Sequence, residues 1–125
     1  MKGITATPTI EGFVAMAQHI ITNVRRQHWK TANDAAHRAL GSFYDDFADR
    51  IDMLVESYQG RIGQKLDLPE IPFRAEADSL MMLKSLRRFI DENRDAMCSY
   101  REIQNQFDDI LTHLNQHLYR LEQLS

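Results

Sequence analysis

The chain has 125 residues, of which 43% are hydrophobic and 26% charged, with a formal net charge of −3. That length makes one domain, spanning 1–125, with a core large enough to need neither disulfides nor structural zinc, and the single cysteine, Cys98, excludes an internal disulfide and suits a reducing cytoplasm. The dispersed acidic balance speaks against DNA binding, which rests on phosphate neutralisation by Lys and Arg, and no apolar run approaches the roughly 20 residues that span a bilayer.

Lys2 is followed by no apolar stretch of signal-peptide type, so the expected location is the cytoplasm. Thr7-Pro8 pairs an N-cap residue with Pro at a first helical position. A helix is expected over about 8–29, with Phe13, Val14, Ala17, Ile20, Ile21 and Val24 at helical spacing and His28 continuing the apolar face. Trp29 reads as a core anchor, and His19 as an exposed helix residue. After a turn, Asn33 or Asp34 caps a second helix over 34–62. Its apolar stripe is Leu40, Phe43, Phe47, Ile51, Leu54 and Tyr58. His37, Asp45, Ala48, Asp52 and Glu56 fall on the neighbouring face, with Asp46 and Arg50 further round.

Residues 63–75 carry two prolines and no helical period. Thirteen extended residues reach about 43 Å, and the preceding helix is about 42 Å long. This connection can therefore traverse a bundle end to end, which permits an all-α, ferritin-like four-helix bundle with one long crossover between its second and third helices. The third helix is expected over 76–94, with Leu80, Met81, Leu83, Leu86, Phe89 and Ile90 apolar. The fourth is expected over 100–123, opened by a capping box at Ser99-x-x-Glu102. It would bury Ile103, Phe107, Ile110, Leu111, Leu114, Leu118 and Leu121.

Candidate chemistry gathers between His28 and Gly60. Asp52 and Glu56 are i, i+4 on one helix face and could chelate a cation. His37 lies 15 residues before Asp52, close to the same direction but about 22 Å away along the axis. One chain cannot bring both to one ion. Two copies packed antiparallel about a two-fold axis near Tyr44 and Asp45 can, which predicts two identical sites built from both chains. His28 would be the third protein ligand; read alone, it is more simply a core histidine bonded to backbone. Asp52 and Glu56 read alone are a solvated acidic face. Asp109, His113 and His117 stand at i, i+4, i+8 on the fourth helix, a weaker divalent-metal pattern whose plain reading is two partly exposed histidines.

His28-Trp29, then His37, then Asp52-x-x-x-Glu56 resembles the ferroxidase signature of the Dps proteins, the mini-ferritins. The 37–56 segment, HRALGSFYDDFADRIDMLVE, matches the family's second helix without a gap, and HLYRLEQL is similar to its closing helix. The resemblance implies a homodimer and a dodecameric shell, with His28 and His37 of one subunit and Asp52 and Glu56 of its mate binding iron that is oxidised by peroxide or O₂ and stored. Another divalent metal is the alternative cargo. The family usually carries Asp where this chain has Gly41, with Asp45 as the nearest substitute. The His-to-His segment is three residues short, and there is no room for the family's small helix after the second. Short Dps-like chains of this kind also occur in tailed phages. The competing expectation is a ferritin-like interaction or structural protein whose ferroxidase site is degenerate or absent.

Overall fold

The structure, a computed structural model, describes residues 6–124. Four helices account for most of them: α1 (Ile10–Lys30), α2 (Asp34–Ile62), α3 (Ser79–Met97) and α4 (Arg101–Glu122). Local chemistry sets most ends. Thr9 caps α1 by accepting from the Gly12 N–H at 3.0 Å, so the helix opens after Pro8 rather than at it. Asn33 caps α2 through the Ala36 N–H at 2.9 Å. Gly63 closes α2 in the left-handed region, at φ 73°, where a side chain would be strained.

Two further starts differ from the sequence reading. Asp78 caps α3 through the Met81 N–H, three residues later than expected, because the backbone of Glu76 is bonded to α1 instead. Tyr100 caps α4 with its carbonyl alone, so the Ser99–Glu102 capping box does not form. The Gln104 side chain organises that junction, donating to the carbonyls of Arg94 and Cys98.

Each helix packs on two others, α1 and α4 both lying against α2 and α3, which leaves α2 and α3 on a diagonal. Cross-links fix the directions. Arg61 near the end of α2 pairs with Glu102 at the start of α4 at 2.8 Å, and Lys84 near the start of α3 pairs with Glu122 at the end of α4 at 3.3 Å. Phe13 sits at the centre, stacked on Phe89 and edge-on to Phe107. Leu40, Phe43, Phe47, Ile51 and Leu54 of α2 are buried as their spacing implies, while Tyr58 is half-buried. Met82, not Met81, faces the core of α3, and Leu111 and Leu121 are half-buried at the edge of α4. Cys98 is buried as a free thiol.

The segment from Gly63 to Asp78 lies along α1. Its hold is polar and regular: His19, Asn23 and Gln27, one helical turn apart, take the backbone at Ile71, Arg74 and Glu76 in turn. His19 is therefore not a free surface residue; its Nε2–H donates to the Ile71 carbonyl at 2.7 Å and its ring meets Phe73 edge-on. Asn23, only 4% exposed, donates to the Arg74 carbonyl at 3.0 Å and accepts from the Glu76 N–H at 2.9 Å. Leu66 and Leu68 pack against the core edge at the start of this strap. No described helix is long and apolar enough to cross a membrane.

Asn23→Ala removes both bonds and leaves two backbone groups without partners, so it should cost about 2–3 kcal/mol in urea unfolding. It should also speed proteolytic cleavage within residues 63–78 more than elsewhere. Unchanged cleavage there would show that apolar packing alone holds the strap.

Candidate functional site

Three residues, Thr31 to Asn33, join α1 to α2, and the turn is closed by a reciprocal clasp. His28 Nδ1–H donates to the His37 carbonyl at 2.5 Å, and His37 Nδ1–H donates to the His28 carbonyl at 2.7 Å. The two rings stack with centroids 3.8 Å apart and planes 17° from parallel. A carbonyl only accepts, so each Nδ1 carries its proton, and each Nε2 of the neutral ring keeps its lone pair.

Gly41 makes this stack possible. A Cβ there would lie 2.8 Å from His28 Cε1 and 3.1 Å from His28 Nδ1. The short His-to-His segment draws the His28 ring onto the space that a side chain at 41 would fill. Tyr44 meets His28 edge-on at 5.4 Å, and the Arg25 guanidinium lies 4.8 Å over the Tyr44 ring.

The stack limits what the pair can hold. An imidazole nitrogen takes a metal in its own ring plane at about 2.0–2.1 Å. Planes 3.8 Å apart and tilted by 17° converge only roughly 12 Å away, the separation divided by the tangent of the tilt, well beyond that bond length. In this arrangement one ion cannot be bound by both rings; one of them would have to rotate.

Asp52 and Glu56 are exposed on the same outer side of the α1–α2 pair and make no ion pair with another described residue. They edge a groove lined by apolar groups of both helices and of the strap. Asp45 is exposed, one turn beyond Gly41. Trp29, expected in the core, is 67% exposed, because it shares the outward-facing stripe of α1 with exposed Gln18 and Arg25. Among the described residues no three His, Cys, Asp or Glu side chains of one chain gather as a metal-holding group.

Residues 28–121 match the model of a family of unknown function, DUF5856, which is three quarters of the chain. The chain belongs to that family. No curated protein and no solved structure matches it. The matched span of this DUF5856 member begins at the His28 clasp and takes in the strap, α3 and nearly all of α4.

The same span holds a second polar cluster, in the α2–α4 seam. Asp109, His113 and His117 line one seam, linked through Asp46 and Arg50, which the sequence reading set aside, and not gathered on one point. Asp46 Oδ2 receives His117 Nε2–H at 3.1 Å and faces His113 Nδ1 at 3.3 Å. Arg50 stands between the two helices, donating to His113 Nε2 and pairing with Asp46 at 3.5 Å and Asp109 at 3.4 Å. A guanidinium already fills the position a metal ion would need, so a cation here must first displace Arg50. Asp46 and Arg50 lie off the apolar stripe of α2, and only the packing of α4 reveals their role.

His117 is 6% exposed, not a surface histidine, and its Nδ1 is buried with no hydrogen-bond partner. Burial pushes its pKa below the ordinary imidazole value of 6.5, while the Asp46 carboxylate pulls the other way. The fold therefore favours the neutral ring. Below pH 6.5 the unfolded chain binds a proton that the folded chain resists, so this group's contribution is complete above that value and is lost as pH falls.

Two outcomes follow. Urea stability should decline as pH drops from about 7 towards 5, and His117→Asn should flatten that decline; an identical slope in the variant would remove His117 from the account. Gly41→Ala should displace the His28 ring at a cost of about 1–3 kcal/mol, read as loss of the paired Nδ1–H proton signals of His28 and His37 by NMR. Retention of both signals would mean that the clasp tolerates a side chain at 41.

Proposed function

We propose that this chain is a ferritin-like protein similar to the Dps mini-ferritins, and that two copies bind ferrous iron across a two-fold axis between their α2 helices. The reading is supported by three donors on one helix that the chain's own contacts leave available. His37 keeps an Nε2 lone pair outside the clasp, and Asp52 and Glu56 stand exposed with no ion pair among the described residues. A two-fold near Tyr44 and Asp45 would set His37 of one copy beside Asp52 and Glu56 of the other, with Asp45 close to the axis. The strap leads from the end of α2, past α1, to the start of α3, the kind of path a ferritin-like crossover takes. Carboxylate oxygens with one or two imidazole nitrogens suit iron. His28 then acts mainly by fixing the angle of His37 and becomes a ligand only if its own ring turns. Oxidation of the bound iron by peroxide or O₂, and storage in a dodecameric shell, complete the reading.

The ring stack favours a second reading. Two histidines committed to each other as a helix clasp describe a ferritin-like interaction or structural protein in which the ferroxidase site is degenerate.

Anaerobic titration with ferrous iron, followed by anomalous diffraction at the iron edge, separates the two. On the first reading, iron lies between His37 of one copy and Asp52 and Glu56 of its partner. Asp52→Ala abolishes this binding without loss of stability, since the side chain is exposed, and His28→Ala weakens it roughly 10–100-fold, as losing a group that orients a ligand does. Stoichiometric binding at His113 and His117 instead would move the function to the α2–α4 seam. No ordered iron at either place would leave the structural reading.

A further inference from the structure

The outer face of α1 and α2 carries two features beyond the iron donors, one of which borders them. Trp29, the single tryptophan of the chain, is 67% exposed. A groove of about 380 Å³ runs between the same two helices, its walls including Ile21, Ala48, Val55 and Leu66 and its edge Asp52 and Glu56. An exposed indole, apolar but for one N–H, and a groove of apolar walls bordered by Gln18, Asp52, Glu56 and Gln59 are complementary surfaces on one chain.

Their positions match under a two-fold. Trp29 follows Gln18 by eleven residues and Arg25 by four, so all three fall along one stripe of α1. Gln18 lines the groove and Arg25 lies against Tyr44 of α2, so the stripe faces outward on the α2 side. Along the helix axis Trp29 is level with His37, because its neighbour His28 is stacked on that ring. An axis that brings His37 level with Asp52 of the partner subunit therefore brings Trp29 level with Ala48 to Asp52 of the partner subunit, where the groove is.

We propose that Trp29 of each protomer seats its indole in the α1–α2 groove of the other, closing a two-fold dimer on both sides of its axis. This rests on the two-fold arrangement proposed above and names what holds it together. The contact is self-complementary, as a two-fold requires. An indole buries about 150–250 Å² and brings one N–H donor, for which the carboxylates of Asp52 and Glu56 at the groove edge are acceptors. Charge is complementary as well: Arg25, held over Tyr44, is level with the axis, where exposed Asp45 of the partner subunit stands.

The lone tryptophan makes the test direct. Analytical ultracentrifugation and intrinsic fluorescence with acrylamide quenching are run on one dilution series of the full chain, with and without ferrous iron under anaerobic conditions. The expected result is a dimer whose emission is blue-shifted and poorly quenched, moving to red-shifted and freely quenched as it dissociates. Trp29→Ala should raise the dimer Kd at least about tenfold, the range of a buried aromatic anchor. Ala48→Arg, which fills the groove from the other side, should leave a monomer with a freely quenched Trp29 and an unchanged helical circular dichroism spectrum. A stable dimer with a freely quenched Trp29 overturns the insertion and leaves the iron reading standing. A protected Trp29 in a dimer that binds no iron supports the insertion and removes the iron reading. A chain that stays monomeric at all concentrations, with or without iron, overturns the two-fold arrangement itself.

Discussion

The three-residue turn between α1 and α2 constrains everything on the outer face of the bundle. So short a connection forces the helices antiparallel and in close register, and the exchange of Nδ1–H bonds between His28 and His37 fixes that register to a single turn. Gly41 gives up a side chain so that the rings can stack. From that point outward the positions of Tyr44, Asp45, Asp52 and Glu56 follow from helix geometry alone. A clasp built from two imidazoles is an unusual choice for a turn, since Ser, Asn or Asp satisfies backbone groups at less cost in ordered side chain. Imidazole differs from those residues in retaining a second nitrogen.

Polar groups inside the bundle are arranged in two different ways. Along α1, His19, Asn23 and Gln27 bond to the backbone of the strap, and the result is positional: one extended segment held at three successive turns. In the α2–α4 seam, Asp46, Arg50, Asp109, His113 and His117 bond chiefly to one another. A network of this kind gains little net stability, because desolvation offsets the attraction, yet it penalises any sliding of one helix past the other. The apolar core between them, centred on Phe13, supplies the nonspecific part of the stability.

How much of this could be read from the sequence depended on the range of the interaction. Four helices, their approximate spans and most core residues follow from apolar spacing, because a 3.6-residue period is local information. Asn33 as a cap and Gly63 as a terminator are equally local. The failures involve partners distant in sequence. Helical spacing alone puts His19 at the surface, but its acceptor is a carbonyl 52 residues away. Asp46 was placed off the useful face of α2, where only α4 could give it neighbours. Ser99 and Glu102 have the spacing of a capping box, yet Gln104 claims that junction through contacts to α3. Residue type alone puts Trp29 in the core, whereas its place on the stripe of Gln18 and Arg25 puts it on the outer face. At Gly41 the sequence shows only the absence of a side chain, and the room this makes for the His28 ring needs coordinates.

The strap joins two helix hairpins that would otherwise share only side-to-side packing. Since α2 and α3 lie on a diagonal, no direct contact between them ties one hairpin to the other. Sixteen residues, from Gly63 to Asp78, span up to about 50 Å when extended. Freed from α1, that length is enough for the α3–α4 hairpin to settle on the α1–α2 hairpin of another molecule, recreating the same interfaces in a domain-swapped pair. The core makes no distinction between the closed and exchanged forms. The polar ladder of His19, Asn23 and Gln27 opposes that exchange, because it ties the strap to α1 of its own chain.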